Sequence, residues 1–222
     1  MERQIQQTQD GSRTIYVPQM DEHYHSVKGA LAESRHIFIE MGLKHSNAPA
    51  PRVLEIGFGT GLNAFLTLLH ANEQQQHIHY TTLELYPLSL EMVQQMDYPT
   101  LICPKQSEAF YAMHQCAWNQ PIEISPYYII EKMQVDFTTY DFKGLFDVIY
   151  FDAFAPEKQP EMWSQTLFNT LFEHTAAGGI LTTYCAKGVV RRMLQAAGYI
   201  VERLPGPVNG KREILRATKQ SL

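Results

Sequence analysis

The chain has 222 residues, 45% hydrophobic and 18% charged, with a formal net charge of −5; residues 1–222 are read as a single α/β domain large enough to bury a core without disulfides. No apolar run approaches the roughly 18 residues of a membrane span, which argues against a membrane partner. The polar, glutamine-rich first ten residues lack a secretory stretch, so the chain is expected in the cytoplasm with a frayed tip.

In chain order, residues 11–45 are rich in aromatic and polar side chains and precede the first core strand. Residues 1–50 are therefore expected to be an extension covering the site, and residues 51–222 a Rossmann-like core. His23 and His25, like His77 and His79, are two apart, a spacing that on a strand puts both imidazoles on one face. No cysteine or carboxylate cluster completes either pair, and Cys103, Cys116 and Cys185 lack C-x-x-C spacing, so no metal is assigned. From residue 53 onward, short β-rich runs (53–56, 77–83, 145–151, 179–184) alternate with helical stretches (62–70, 87–96), the pattern of a parallel sheet with crossover helices. Residues 104–130, with Tyr111, Trp118, Tyr127 and Tyr128 between prolines, fall outside this repeat and are expected to cover the substrate side of the sheet. Residues 199–203 and 212–218 read as strands with no room for a helix between them, which requires an antiparallel hairpin. A mostly parallel sheet closed by such a hairpin is the layout of class I S-adenosylmethionine-dependent methyltransferases, by fold-level analogy.

The chemistry starts at residues 53–61, VLEIGFGTG. Gly57, Gly59 and Gly61 allow positive φ and close backbone approach, with Phe58 between them and Asn63 on the helix that follows. A dinucleotide fingerprint would need its third glycine at position 62, which is leucine. Glu55 before the turn would repel a pyrophosphate but can accept from a methionyl ammonium, directly or through water. Glu84 closes the next strand, where a carboxylate can take both ribose hydroxyls of either cofactor type. Asp136 follows another apolar stretch and can accept from the exocyclic amine of adenine. Asp152, just after the near-continuous apolar run 145–151, sits where α/β sheets place chemistry, and Pro156 biases Ala155 toward extended backbone, so the segment is expected to present carbonyls and the Asp152 carboxylate to the site. An acid there can orient an amine nucleophile, stabilise the ammonium that forms and accept a proton.

Several stretches together resemble one family, the tRNA 5-methylaminomethyl-2-thiouridine methyltransferases: residues 21–26 (DEHYHS), 29–34 (GALAES), 53–63 (VLEIGFGTGLN), 152–156 (DAFAP) with Pro160 and Trp163, and 210–213 (GKRE). The resemblance implies methyl transfer from S-adenosylmethionine to the primary amine of 5-aminomethyl-2-thiouridine at the tRNA wobble position. It implies that Gly57, Gly59, Glu84 and Asp136 hold the cofactor and that Asp152 lies at the amine. It also implies the stand-alone form, with a separate oxidase making the precursor. Tyr24, Phe154, Pro156, Lys187, Lys211 and Arg212 are the candidates for substrate contact; for Tyr24, His25, Glu33 and Arg35, lid, uridine pocket and core packing all stay open. Residues 187–219 carry eight basic side chains against two acidic ones, an asymmetry suited to a polyanion. A small-molecule amine methyltransferase, a nicotinamide dehydrogenase and a non-enzymatic RNA-binding module are the competing readings.

Overall fold

A computed structural model describes residues 2–208 and 210–221; Met1 in the polar tip, Asn209 in the link between the last two strands, and Leu222 lie outside the described residues. The chain opens with three short antiparallel strands, β1 (Gln4–Gln7), β2 (Arg13–Val17) and β3 (Glu22–His23). The expected frayed tip is thus corrected: β1 pairs along its length with β2, and Ile5 packs against the core while its glutamines stay outside. Helix α1 (Ala30–Ser34) continues into a π-helical turn, Arg35–Glu40, that buries Ile37, Phe38 and Ile39.

The main sheet begins with β4 (Arg52–Ile56), whose last four residues are buried. It is followed by α2 (Leu62–Gln74), β5 (Ile78–Leu83), α3 (Leu90–Met96), α4 (Tyr98–Ile102) and α5 (Ser107–Gln115). Next come β6 (Pro121–Ser125), β7 (Tyr128–Met133), β8 (Phe146–Phe151), α6 (Gln165–Glu173) and β9 (Thr175–Thr183). The chain closes with α7 (Gly188–Ala197), β10 (Ile200–Pro205) and β11 (Glu213–Thr218). The strand order is β10-β11-β9-β8-β4-β5-β7-β6. Strands β7, β5, β4, β8 and β9 are mutually parallel, and β11 enters antiparallel between β9 and β10, so the expected closing hairpin is present.

Alternation along the central strands sorts the core into two faces. Val53, Tyr80, Val148 and Tyr150 pack with Phe65, Phe110 and the π-helical turn, whereas Leu54, Ile149, Phe151 and Leu181 pack with Phe168, Leu171 and Leu194 of α6 and α7. The segment 104–130 does not cover the substrate side. Tyr128, Ile130 and Lys132 alternate inward along β7, which extends the parallel sheet, and β6 folds back on it as an antiparallel edge. The prolines around this segment masked a period-two pattern that its inward side chains follow.

Candidate active site

Chain direction diverges between β4 and β8: β4 leads through α2 to β5 on one side, and β8 leads through α6 to β9 on the other. The crevice at the carboxyl ends of two such strands is where open α/β sheets bind ligands. The glycine turn leaves β4 there and Asp152 leaves β8, tied together because the Asp152 amide donates to the Ile56 carbonyl at 3.2 Å. A Cβ on Gly57, which has φ of +95°, would stand 3.2 Å from the Asp152 carbonyl. Glu84 follows β5 and Asp136 follows β7, so four adjacent parallel strands deliver one residue or turn each to a cavity of about 550 Å³. That volume is in the range of small-ligand sites.

Asn63, in the first turn of α2, donates from Nδ2 to Asp152 Oδ2 at 2.8 Å. Burial pushes the Asp152 carboxyl up to about 7; the Asn63 hydrogen bond and the charge of Lys211 oppose the shift and the charge of Glu33 adds to it. The backbone amide of Gly59 donates to Glu84 Oε2 at 2.9 Å, and that of Tyr86 to Oε1 at 2.8 Å, which orients the carboxylate across the glycine turn. Phe58 lines the cavity and stacks behind on His114, with ring centroids 4.9 Å apart. The N-terminal segment closes the opposite wall: Tyr24 lies against Gly59, where a Cβ would approach its ring to 3.1 Å, and meets Phe154 edge-on at 5.1 Å. His25, driven down to about 4 by burial, bonds Thr60 Oγ1 through Nε2 at 2.9 Å, fastening this wall to the glycine turn.

Several expectations are corrected by this geometry. Glu55 is fully buried beneath the turn, accepts from Thr82 Oγ1 at 2.7 Å and does not line the cavity, so its carboxylate is not offered directly to a ligand. Strand alternation is the reason: residue 55 points to the α2 face, while Ile56 and Gly57 reach the cavity. Burial raises the Glu55 carboxyl well above the usual carboxylate range. The glycine at 61 leaves room for protein, since a Cβ there would sit 2.4 Å from His114 Nε2. The carbonyls of Ala153 and Phe154 are not free for a ligand: Tyr184 Oη donates to the first at 2.9 Å and Trp163 Nε1 to the second at 2.8 Å. Pro156 lies in the turn that follows, where the Lys158 and Gln159 amides both donate to the Ala155 carbonyl, and it is off the cavity wall. Asp136 lines the cavity, with Oδ1 accepting from the Thr138 amide at 2.8 Å.

The basic tail is largely spent on the protein itself. Lys187 pairs with Glu157, Arg203 with Glu213, and Arg216 with Glu202, while Lys219 donates to the Phe172 and Thr175 carbonyls. Lys211 turns into the cavity, and Arg192 and Arg212 stay exposed with no ion pair among the described residues. Among the cavity residues given no role from sequence are Glu33 and Tyr184. The GALAES stretch was a pointer to the first; nothing marked the second.

The cavity fits a cationic cofactor. Its lining carries six carboxylates (Glu22, Glu33, Glu84, Asp136, Asp152, Glu161) against two cations, Arg3 and Lys211. Such a wall suits a sulfonium and an ammonium and repels a pyrophosphate. Fold and site together define a class I S-adenosylmethionine-dependent methyltransferase. A family model described as S-adenosyl-L-methionine-dependent methyltransferase matches residues 128–220. The chain is 32% identical over 231 residues to the tRNA 5-methylaminomethyl-2-thiouridine biosynthesis bifunctional protein MnmC of Magnetococcus marinus, covering 94% of this chain and 33% of that protein. The namesake protein of Pseudoalteromonas translucida is 29% identical, covering 89% of this chain and 34% of its own length. The crystal structure of MNMC2 from Aquifex aeolicus superimposes over 100% of this chain and 72% of its own, with a TM-score of 0.81 at 22% identity. The chain is thus similar along nearly its whole length to these bifunctional proteins and spans about a third of theirs. Among the described residues, no helix is long and apolar enough to cross a membrane.

Proposed function

We propose that the protein methylates the primary amine of 5-aminomethyl-2-thiouridine at the wobble position of tRNA, giving the methylaminomethyl nucleoside, with S-adenosylmethionine as donor. The names of the two bifunctional relatives point to this nucleoside. The observation in this chain that carries the reading is Asp152, a carboxyl of proton affinity near 7 at the junction of the glycine turn and the acidic cavity. Gly57, Phe58, Gly59 and Asn63 would cradle the cofactor, with Glu84 on its ribose and Asp136 toward its adenine. Bound there, the cofactor supplies an electrophilic methyl on a sulfonium.

The chain's own residues handle the proton and the alignment. An alkyl amine arrives as an ammonium and must lose a proton before its lone pair can attack. Asp152 accepts that proton at neutral pH, and its neutral form then avoids holding a second buried charge. Asn63 fixes the carboxylate, and the Tyr24–Phe154 edge contact narrows the cavity against water. Most of the acceleration would come from alignment of the amine and exclusion of water rather than from base strength. On this reading the reaction runs in the cytoplasm on an amine supplied by an upstream oxidase, with Arg192 and Arg212 offered to RNA phosphates.

The test is incubation with methyl-labelled S-adenosylmethionine and tRNA from cells blocked at the aminomethyl stage, followed by nucleoside digestion. Label is expected in 5-methylaminomethyl-2-thiouridine, and Asp152→Asn should lose at least about 100-fold in turnover while keeping cofactor affinity. Label that needs no RNA would establish a small-molecule acceptor instead, and no label in either would remove the proposal.

A further inference from the structure

Lys211 places a primary ammonium, the substrate's own reacting group, inside the acceptor end of the cavity. Its Nζ stands 3.5 Å from the centroid of the Tyr184 ring and 3.9 Å from Glu33 Oε1. Glu33 is 7% exposed, held through Oε2 by the Ser26 amide at 2.8 Å, while Oε1 has no hydrogen-bond partner among the described residues. A buried carboxylate oxygen left without a donor is costly unless a cation comes to it. Tyr184 is oriented by its hydrogen bond to the Ala153 carbonyl, one residue beyond Asp152, so its ring face and that carboxylate border one space. Glu22 lines the same wall.

We propose that Tyr184, Glu33 and Asp152 form the cage that receives the substrate's amine as an ammonium ion, and that Lys211 occupies this cage until the substrate displaces it. The contacts suit exchange. At 3.9 Å the Lys211–Glu33 pair is beyond hydrogen-bond length, so it is held by charge and by the ring face alone. Lys211 lies on the link between β10 and β11 with its side chain 41% exposed, leaving it room to swing out. In the cage, the incoming ammonium gains the Glu33 Oε1 hydrogen bond that Lys211 does not make. It is then held beside Asp152, which takes its proton, and the Glu33 charge favours that transfer by raising the Asp152 carboxyl.

This inference rests on the amine-methylation reading, and the experiment separates the two. Acceptor KM, S-adenosylmethionine affinity by calorimetry, Tm, and competitive inhibition by ethylammonium are measured for the wild type and for Glu33→Gln, Tyr184→Leu and Lys211→Met. Glu33→Gln and Tyr184→Leu are expected to raise the acceptor KM roughly tenfold and to blunt ethylammonium inhibition, with cofactor affinity held. Lys211→Met should lower the KM and sharpen the inhibition, because the internal competitor is gone. Unaltered KM and inhibition in Glu33→Gln and Tyr184→Leu, or a raised KM in Lys211→Met, would overturn the cage. Absence of any transfer by the wild type would instead remove the underlying reading.

Discussion

Replacing Asp152 by Asn should make the protein more stable at pH 8 and leave it nearly unchanged at pH 4. In the folded chain burial lifts this carboxyl from the ordinary 3.8 to about 7. Its ionisation on folding is therefore unfavourable. Below pH 4 the group is protonated in both states and contributes no penalty; as pH rises the unfolded chain ionises first, and stability falls until the folded carboxyl also ionises near pH 7. At 1.36 kcal/mol per tenfold change in proton affinity the full penalty is about 4 kcal/mol, an upper bound because solvent and neighbouring charges relax around the site. Asparagine keeps an acceptor for Asn63 Nδ2 and carries no charge to bury, so a gain of about 1–4 kcal/mol is expected at pH 8. Urea unfolding at pH 4, 6 and 8, with matched slopes, measures it. A variant equal to or less stable than the wild type at pH 8 would refute the idea that the site holds a destabilised carboxylate, and with it the proposed base.

Three further outcomes follow from the geometry. Gly61→Ala should cost about 2–4 kcal/mol, from a φ of +73° and the overlap with His114 Nε2; in a double-mutant cycle with His114→Ala, strict additivity would exclude the overlap as the cause. For His25, burial depresses the folded-state value from 6.5 to about 4, so the stability it contributes is present above pH 6.5 and is lost as pH falls toward 4, by up to about 3 kcal/mol. His25→Gln should flatten the unfolding free energy over that window, and an unchanged pH profile would count against a neutral buried imidazole. In tRNA binding, Arg192→Gln and Arg212→Gln should each reduce the salt slope by about one, whereas Arg216→Gln, whose side chain is committed to Glu202, should reduce it less; equal reductions would place the RNA elsewhere.

The parts of the fold that could be read from sequence are those where one period dominates. Residues 145–151 form a near-continuous apolar run, broken only by Asp147, because β8 is covered on both faces, and the strand lies within one residue of that reading. The tail hairpin was legible because chain length forbids a crossover there. Residues 128–133 follow the strand period as well, but a buried lysine and flanking prolines broke the apolar signal. Lys132 is fully buried because its ammonium donates to the His114 carbonyl at 2.7 Å and lies 4.6 Å from the Trp118 ring, partners that come from a different element.

The site divides along the same line. Residues at strand ends, Gly57, Glu84, Asp136 and Asp152, could be found because topology alone carries them to one crevice. Glu55 shows the limit of that rule, since a shift of one residue along a strand moves a carboxylate from the cavity to the opposite face. Glu33 and Tyr184 reach the cavity from α1 and from the residue just after β9, which are 151 positions apart in the chain. Their pairing depends on how the N-terminal segment docks over the sheet, and no local pattern encodes that. On the proposed reading, the same docking lets a polyanion bring a cation to an acidic cavity. Most of the tail's cations are tied to acids or carbonyls of the chain or, as Lys211, turn inward, so on the proposed reading attraction for RNA is left to the exposed Arg192 and Arg212. The interior stays negative where, on the proposed reading, an ammonium and a sulfonium are both held, and RNA affinity should then respond to these arginines while turnover responds to the carboxylates within.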